Sequence, residues 1–179
     1  MVERRRFFSF RYVPGERRRS NHRGAFTLLA AVFLFFLCSR TVLSTGRVTD
    51  VSMRPTLSEG QFLLINRYVY RWASPRRGEI VVLRTPGKPR WLYVKRVVGL
   101  AGETLAIQNG RVVIDGKPLN EPYARGSTGP DMEPVRIPSD SVFVLGDNRA
   151  ESEDSRHFGA VATAQLVGKV RPDGRFPLR

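Results

Sequence analysis

The hydrophobic pattern changes character twice along the chain. Residues 1–24 hold no sustained apolar run, and the clusters Arg4-Arg5-Arg6 and Arg17-Arg18-Arg19 flank Pro14-Gly15. That pattern predicts a basic arm, solvated or lying on a surface. From Ala25 to Leu43 the chain reads AFTLLAAVFLFFLCSRTVL, with no charge before Arg40. The segment is apolar on every side, unlike a half-buried amphipathic helix. As a helix it reaches roughly 28 Å, enough for the hydrocarbon core of a bilayer. Residues 25–43 are therefore expected to form a single transmembrane helix, with Arg40 snorkelling at its far end.

Beyond residue 44 the apolar runs are short and broken by turn residues. Runs at 61–66, 79–84, 91–98, 104–108, 111–114 and 141–145 predict β-strands. Asn109-Gly110 is the dipeptide favoured in a two-residue hairpin, and Asp115-Gly116 marks a second turn. Residues 120–138, rich in Pro, Gly and acids, predict a long excursion loop. No amphipathic helix or repeat interrupts the strands. The expected fold is mainly β: a twisted, partly closed antiparallel β domain over residues 44–179, preceded by the membrane helix.

Charge sharpens the membrane reading. The formal net charge is +14, which calls for an anionic partner, lipid headgroups or nucleic acid. The excess of arginine before residue 25 keeps the amino terminus cytoplasmic and exports the remainder. The long arm, and Leu-Cys-Ser-Arg at 37–40 where a cleavage site needs small residues, argue against a removable leader. Leu37 likewise disfavours a lipid-modified Cys38. With one cysteine and two distant histidines, His22 and His157, a disulfide scaffold and a zinc site are disfavoured.

Three segments carry chemically capable residues. Asp50-Val51-Ser52-Met53-Arg54-Pro55-Thr56-Leu57 places a serine in a proline turn just past the apolar segment; most such serines only cap a bend. In Tyr93-Val94-Lys95-Arg96-Val97-Val98, strand alternation sends Lys95 and Arg96 to opposite faces. A covered lysine is pushed toward the neutral amine, able to take a serine proton. An arginine cannot do so and needs an acid partner. Both could equally be charges that blunt an edge strand. Gly146-Asp147-Asn148-Arg149 and Ser152-Glu153-Asp154-Ser155-Arg156-His157 form a polar loop after a hydrophobic strand. Its arginines oppose a calcium site.

Together these segments resemble the type I signal peptidases, the Ser/Lys membrane proteases that remove signal peptides from exported proteins. Ser52-Met53-x-Pro55-Thr56-Leu57 is similar to that family's nucleophile segment, Arg77-Gly78-Glu79-Ile80-Val81 to its next strand, and Tyr93 through Gly99 to its general-base segment. Gly146-Asp147-Asn148-Arg149, Ser152 and Asp154-Ser155-Arg156 are similar to its last motif, in the same order. The resemblance implies Ser52 as nucleophile and Lys95 as general base. It implies that Ser152 hydrogen-bonds and orients the Lys95 amine, that Arg96 pairs with Asp147, and that Asp154 pairs with Arg156. The Ser52 N–H would help form an oxyanion hole, and Met53 would line shallow pockets for small side chains. The implied enzyme is a monomer at the cell (plasma) membrane, crossing once, with its catalytic domain on the exported side. Its partners are exported preproteins and anionic lipid, and it needs no cofactor or metal.

Asp50 departs from the family pattern, which often has Ser or Gly two positions before the nucleophile. A carboxylate aimed at a developing oxyanion opposes catalysis, so Asp50 is expected to turn away. Ala101 and Glu103 stand where Pro and Asp are usual, as turn variations. Two other readings compete. One is a Ser/His triad through His157 and an acid of the last loop. The other is a membrane-tethered nucleic-acid-binding β-barrel, with Trp72, Trp91 and Tyr93 stacking bases; the excess charge is better matched by an anionic bilayer, so no nucleic acid is expected.

Overall fold

The computed structural model describes residues 24, 26–34, 43–85 and 87–171. The chain divides into two compact units, Met1–Phe36 and Leu37–Arg179. In the first, residues 26–34 form helix α1, and its apolar side chains, Phe26, Leu28, Leu29, Phe33 and Leu34 among them, are exposed. Among the described residues no helix is long and apolar enough to cross a membrane. Most of the expected arm at 1–24, and positions 25 and 35–42 of the expected span, lie outside the described residues.

The second unit is mainly β, as the short apolar runs require. The larger sheet joins seven strands in the order β1 (Leu43–Arg47), β2 (Phe62–Asn66), β11 (Leu166–Arg171), β3 (Ile80–Thr85), β4 (Lys88–Gly99), β9 (Ser141–Leu145) and β10 (Val161–Ala162). The smaller holds four: β7 (Lys117–Pro118), β6 (Arg111–Ile114), β5 (Thr104–Gln108) and β8 (Met132–Arg136). Every named strand pair is antiparallel. The β5–β6 turn takes the hairpin geometry its sequence demands, with φ of 51° at Asn109 and 71° at Gly110.

Three expectations need correction. The larger sheet is open, not partly closed: β1 and β10 are its two edges and do not pair, and β10 has only two residues with which to reach another strand. The β-barrel of the nucleic-acid reading is therefore not formed. Residues 120–138 are not a loop throughout, because Met132–Arg136 forms β8 and pairs with β5. Its side chains are mostly exposed, so the hydrophobic pattern carries little trace of it. The unassigned tail supplies β11, whose buried residues alternate strictly.

Strand β4 positions the site. It lies between β3 and β9, with Val81 opposite Lys95, and Ile80 and Leu145 opposite Arg96. Tyr93 and Val97 pack with Val81, Leu83 and Val144, whereas Val94 packs with Met53, Leu57 and Ile80. The alternation predicted for this strand thus distributes its side chains between two cores.

Candidate active site

Ser52 sits in the turn that follows β1. Arg54 N–H donates to Val51 O at 3.0 Å and Leu57 N–H to Met53 O at 2.9 Å, which rolls the segment into a compact bend. Met53 and Leu57 anchor it, with exposures of 1% and 0%. Asn148 ties the bend to the last motif, its N–H donating to Ser52 O at 2.9 Å and its Nδ2 to Val51 O at 3.4 Å.

Lys95 Nζ lies 2.7 Å from Ser52 Oγ. The two residues are 1% and 3% exposed, so the pair is withdrawn from bulk water. Burial is the largest influence on the Lys95 amine and pushes its pKa below the ordinary lysine value. The charges of Asp50, Asp154 and Glu153 pull it back up, and Arg156 pushes it down again. Desolvation wins, and the neutral amine is favoured relative to a free lysine.

A cleft of about 380 Å³ opens on Ser52. Ser52, Met53 and Asp50 form one part of its lining, and Trp91, Leu92 and Tyr93 another. Met53 therefore serves both the core and the cleft. A second cavity, also about 380 Å³, is lined by Arg111, Glu121 and Arg149, but no residue of the Ser52–Lys95 pair reaches it. There Arg149 is bound to Glu121, to Thr128 Oγ1 and to Gly146 O, as a buried structural clamp.

The supporting pairs form as expected. Arg96 grips Asp147 through two hydrogen bonds, Nε to Oδ1 at 2.8 Å and Nη2 to Oδ2 at 2.6 Å. Its remaining donors reach Gly78 O at 2.8 Å and Thr56 Oγ1 at 3.3 Å, and Tyr123 stacks beneath the guanidinium at 4.0 Å. One arginine thus joins the Ser52 bend, the β3 entry and the last motif. Asp154 binds Arg156 with Nε to Oδ1 at 2.8 Å and Nη2 to Oδ2 at 2.9 Å. It also caps the short helix α2 (Ser155–Phe158) and accepts from Gly146 N–H at 3.0 Å. Burial opposes its charge, but Arg156 and the Gly146 N–H outweigh it and hold the carboxyl below the usual range.

Ser152 is the exception. Its Oγ is buried without a hydrogen-bond partner, so the expected bond to Lys95 is not made. The Ser152 side chain lies against Gly146. A Cβ on Gly146 would collide with the Ser152 side chain and stand 2.7 Å from Ser52 O, so only glycine lets these two segments approach. Asp50 has turned to its own backbone, accepting from Val51 N–H at 2.6 Å, although it still borders the cleft. His157 Nδ1 accepts from Asp154 N–H at 3.5 Å. It serves the cap of α2, and among the described residues no hydrogen bond links it to Ser52.

Two features escaped the reading of the sequence. One is the packing role of Gly146, which was read only as part of the last motif and whose contacts link residues nearly a hundred positions apart. The other is the hydrogen bond from Tyr93 Oη to Glu153 Oε2 at 2.6 Å. Nothing local predicts it, since strand alternation placed Tyr93 beside Lys95 but could not supply its partner.

A buried serine and lysine in contact, set in an open antiparallel β unit beside a cleft, form an arrangement in which the amine could activate the hydroxyl. The family model for signal peptidase, peptidase S26, matches residues 22–172, and the chain belongs to that family. A signal peptidase I of Bacillus caldolyticus is 41% identical over 143 residues, covering 72% of this chain and 78% of that protein. Signal peptidase I P of Bacillus subtilis subsp. natto is 36% identical over 153 residues, covering 79% of this chain and 82% of its own. A crystal structure of a signal peptidase I from Enterococcus faecalis V583 is similar at 29% identity and a TM-score of 0.49, over 55% of this chain and 98% of that one.

Proposed function

We propose that the chain is a membrane-anchored serine endopeptidase that removes signal peptides from exported preproteins, with Ser52 as nucleophile and Lys95 as general base. The observation that carries the reading is the 2.7 Å approach of Lys95 Nζ to Ser52 Oγ at a buried position. Neutral Lys95 takes the Ser52 proton as Oγ attacks the scissile carbonyl carbon. The tetrahedral adduct collapses, the C–N bond breaks, and the Lys95 ammonium protonates the leaving amine. Water then attacks the acyl ester and gives a proton to Lys95, which returns it to Ser52 as the signal peptide leaves with a new carboxylate.

The Ser52 N–H, in the bend beside the cleft, is one donor to the oxyanion. The bond that Asp50 makes to Val51 N–H supports a carboxylate kept off that position. Arg96–Asp147 and Asp154–Arg156 hold the bend and the last loop in place. Met53 limits the depth of the cleft and so favours small side chains by exclusion. The apolar segment ahead of β1 serves as the single membrane anchor at the cell membrane, with the amino terminus cytoplasmic. The cationic arm and the exposed Trp72 and Trp91 suit anionic lipid at the exported and cytoplasmic surfaces.

The test is cleavage of a preprotein by the full-length chain in detergent, with the new amino terminus mapped by mass spectrometry. A signal peptide ending in Ala-x-Ala should be cut directly after the second alanine, and replacing that alanine by Phe should stop the reaction. Cleavage indifferent to that residue, or none at all, refutes the reading.

A further inference from the structure

One side of the Ser52–Lys95 pair is closed by two groups lying 60 residues apart in sequence. Tyr93 precedes Lys95 by two positions on β4, lines the cleft, and holds its ring centroid 5.1 Å from Lys95 Nζ. The phenol donates to Glu153 Oε2 at 2.6 Å. Glu153 stands between Ser152 and Asp154, and Asp154 is fixed by Arg156 and by the Gly146 N–H. The ring therefore cannot leave the amine without breaking the bond to a loop that is itself pinned.

We propose that Glu153 is a positioning residue for the reaction: by latching Tyr93 over Lys95 it favours the ammonium form and sets the acidic limit of cleavage. The inference rests on Lys95 being the base. Physically, an aromatic face attracts an ammonium but not a neutral amine, and a carboxylate beyond the ring adds to that preference. The hydrogen bond to Glu153 is also the largest cause that pushes the Tyr93 phenol up to about 12, so the latch keeps its proton through the neutral range.

The other charges facing Lys95 are few. Asp50 comes from the segment before Ser52, and Asp154 and Arg156 come from the last loop and α2. The facing residue of β3 is Val81, which brings no charge. Asp154 is matched by Arg156, which leaves Glu153 and Asp50 as the carboxylates that retain the proton on Lys95. Of the two, Glu153 is the one hydrogen-bonded to Tyr93.

The experiment is the pH dependence of kcat/KM for preprotein cleavage by the full-length chain. It compares wild type, Glu153→Gln, Tyr93→Phe and the double variant, each scaled to its own plateau. Losing the latch lowers the proton affinity of Lys95, so the acid limb moves to lower pH. Scaled activity on that limb should rise severalfold in each single variant, and the double variant should shift no further than the larger single. Limbs that coincide with wild type, move to higher pH, or add in the double variant overturn the proposal. Lys95→Ala, run alongside, separates the two readings: if it cleaves like wild type the dyad fails, whereas an inactive Lys95→Ala with unmoved limbs rejects only the latch.

Discussion

Lys95 is a fully buried lysine and the proposed general base. It is 1% exposed and among the described residues no acid is hydrogen-bonded to its amine, unlike the adjacent Arg96. Its folded pKa is lowered while the unfolded chain keeps the ordinary lysine value of about 10.4. The unfolded state therefore binds the extra proton over the window between those two values, and stability rises with pH across it. The penalty of burying Lys95 is full at and below the folded pKa and disappears above the ordinary one. Lys95→Met, nearly matched in length and apolar, should be inactive yet more stable at neutral pH by roughly 1–3 kcal/mol. Urea melts at several pH values should show that gain shrinking as pH climbs toward 10; a gain that grows with pH contradicts a buried, depressed amine.

Among the elements, β4 and the loop after β9 do the organising, and Arg96–Asp147 is the joint between them. The guanidinium is bound at both of its carboxylate-facing nitrogens, and the pair's side chains are 10% and 1% exposed. Removing one partner leaves the other charge buried and unpaired. Asp147→Ala should destabilise the β unit by about 3–5 kcal/mol and lower cleavage with it, since Arg96 also holds Thr56 of the Ser52 bend. Denaturant unfolding measures the first, and a loss under 1 kcal/mol would show that the pair is not the joint. Strand alternation sent Lys95 and Arg96 to opposite faces, and the family resemblance supplied Asp147 as the partner of Arg96. Alternation could not foretell Ser152, whose placement depends on how closely Gly146 lets the loop approach Ser52 O. That is a tertiary distance, and no local pattern encodes it.

Taken as one molecule, the chain was most legible where burial imposes a period. The runs at 104–108, 111–114 and 141–145 are β5, β6 and β9 to the residue, because one face or both lie in the core. It was least legible at the margins. β8 and β7 are exposed and owe their existence to pairing with a neighbour. β1 begins at Leu43, the last residue of the apolar segment, and the expected helix therefore ends before it; composition masks the change from one element to the next. Openness of the larger sheet was also hidden, since closure depends on whether two edges meet and not on any strand's own residues. The site shows the same division: Ser52, Lys95, Arg96, Asp147, Asp154 and Arg156 are brought to their expected partners, while Tyr93–Glu153 joins an exposed acid to a cleft residue.

All of these relationships converge on whether the 2.7 Å contact between Lys95 Nζ and Ser52 Oγ is the reacting pair. The most direct measurement is the single-turnover rate of preprotein cleavage by purified full-length Ser52→Ala and Lys95→Ala against wild type, with folding verified by melting. Each variant should remain folded and lose cleavage by on the order of 10³-fold or more. Normal cleavage by either folded variant would show that the buried serine and lysine are not the catalytic dyad.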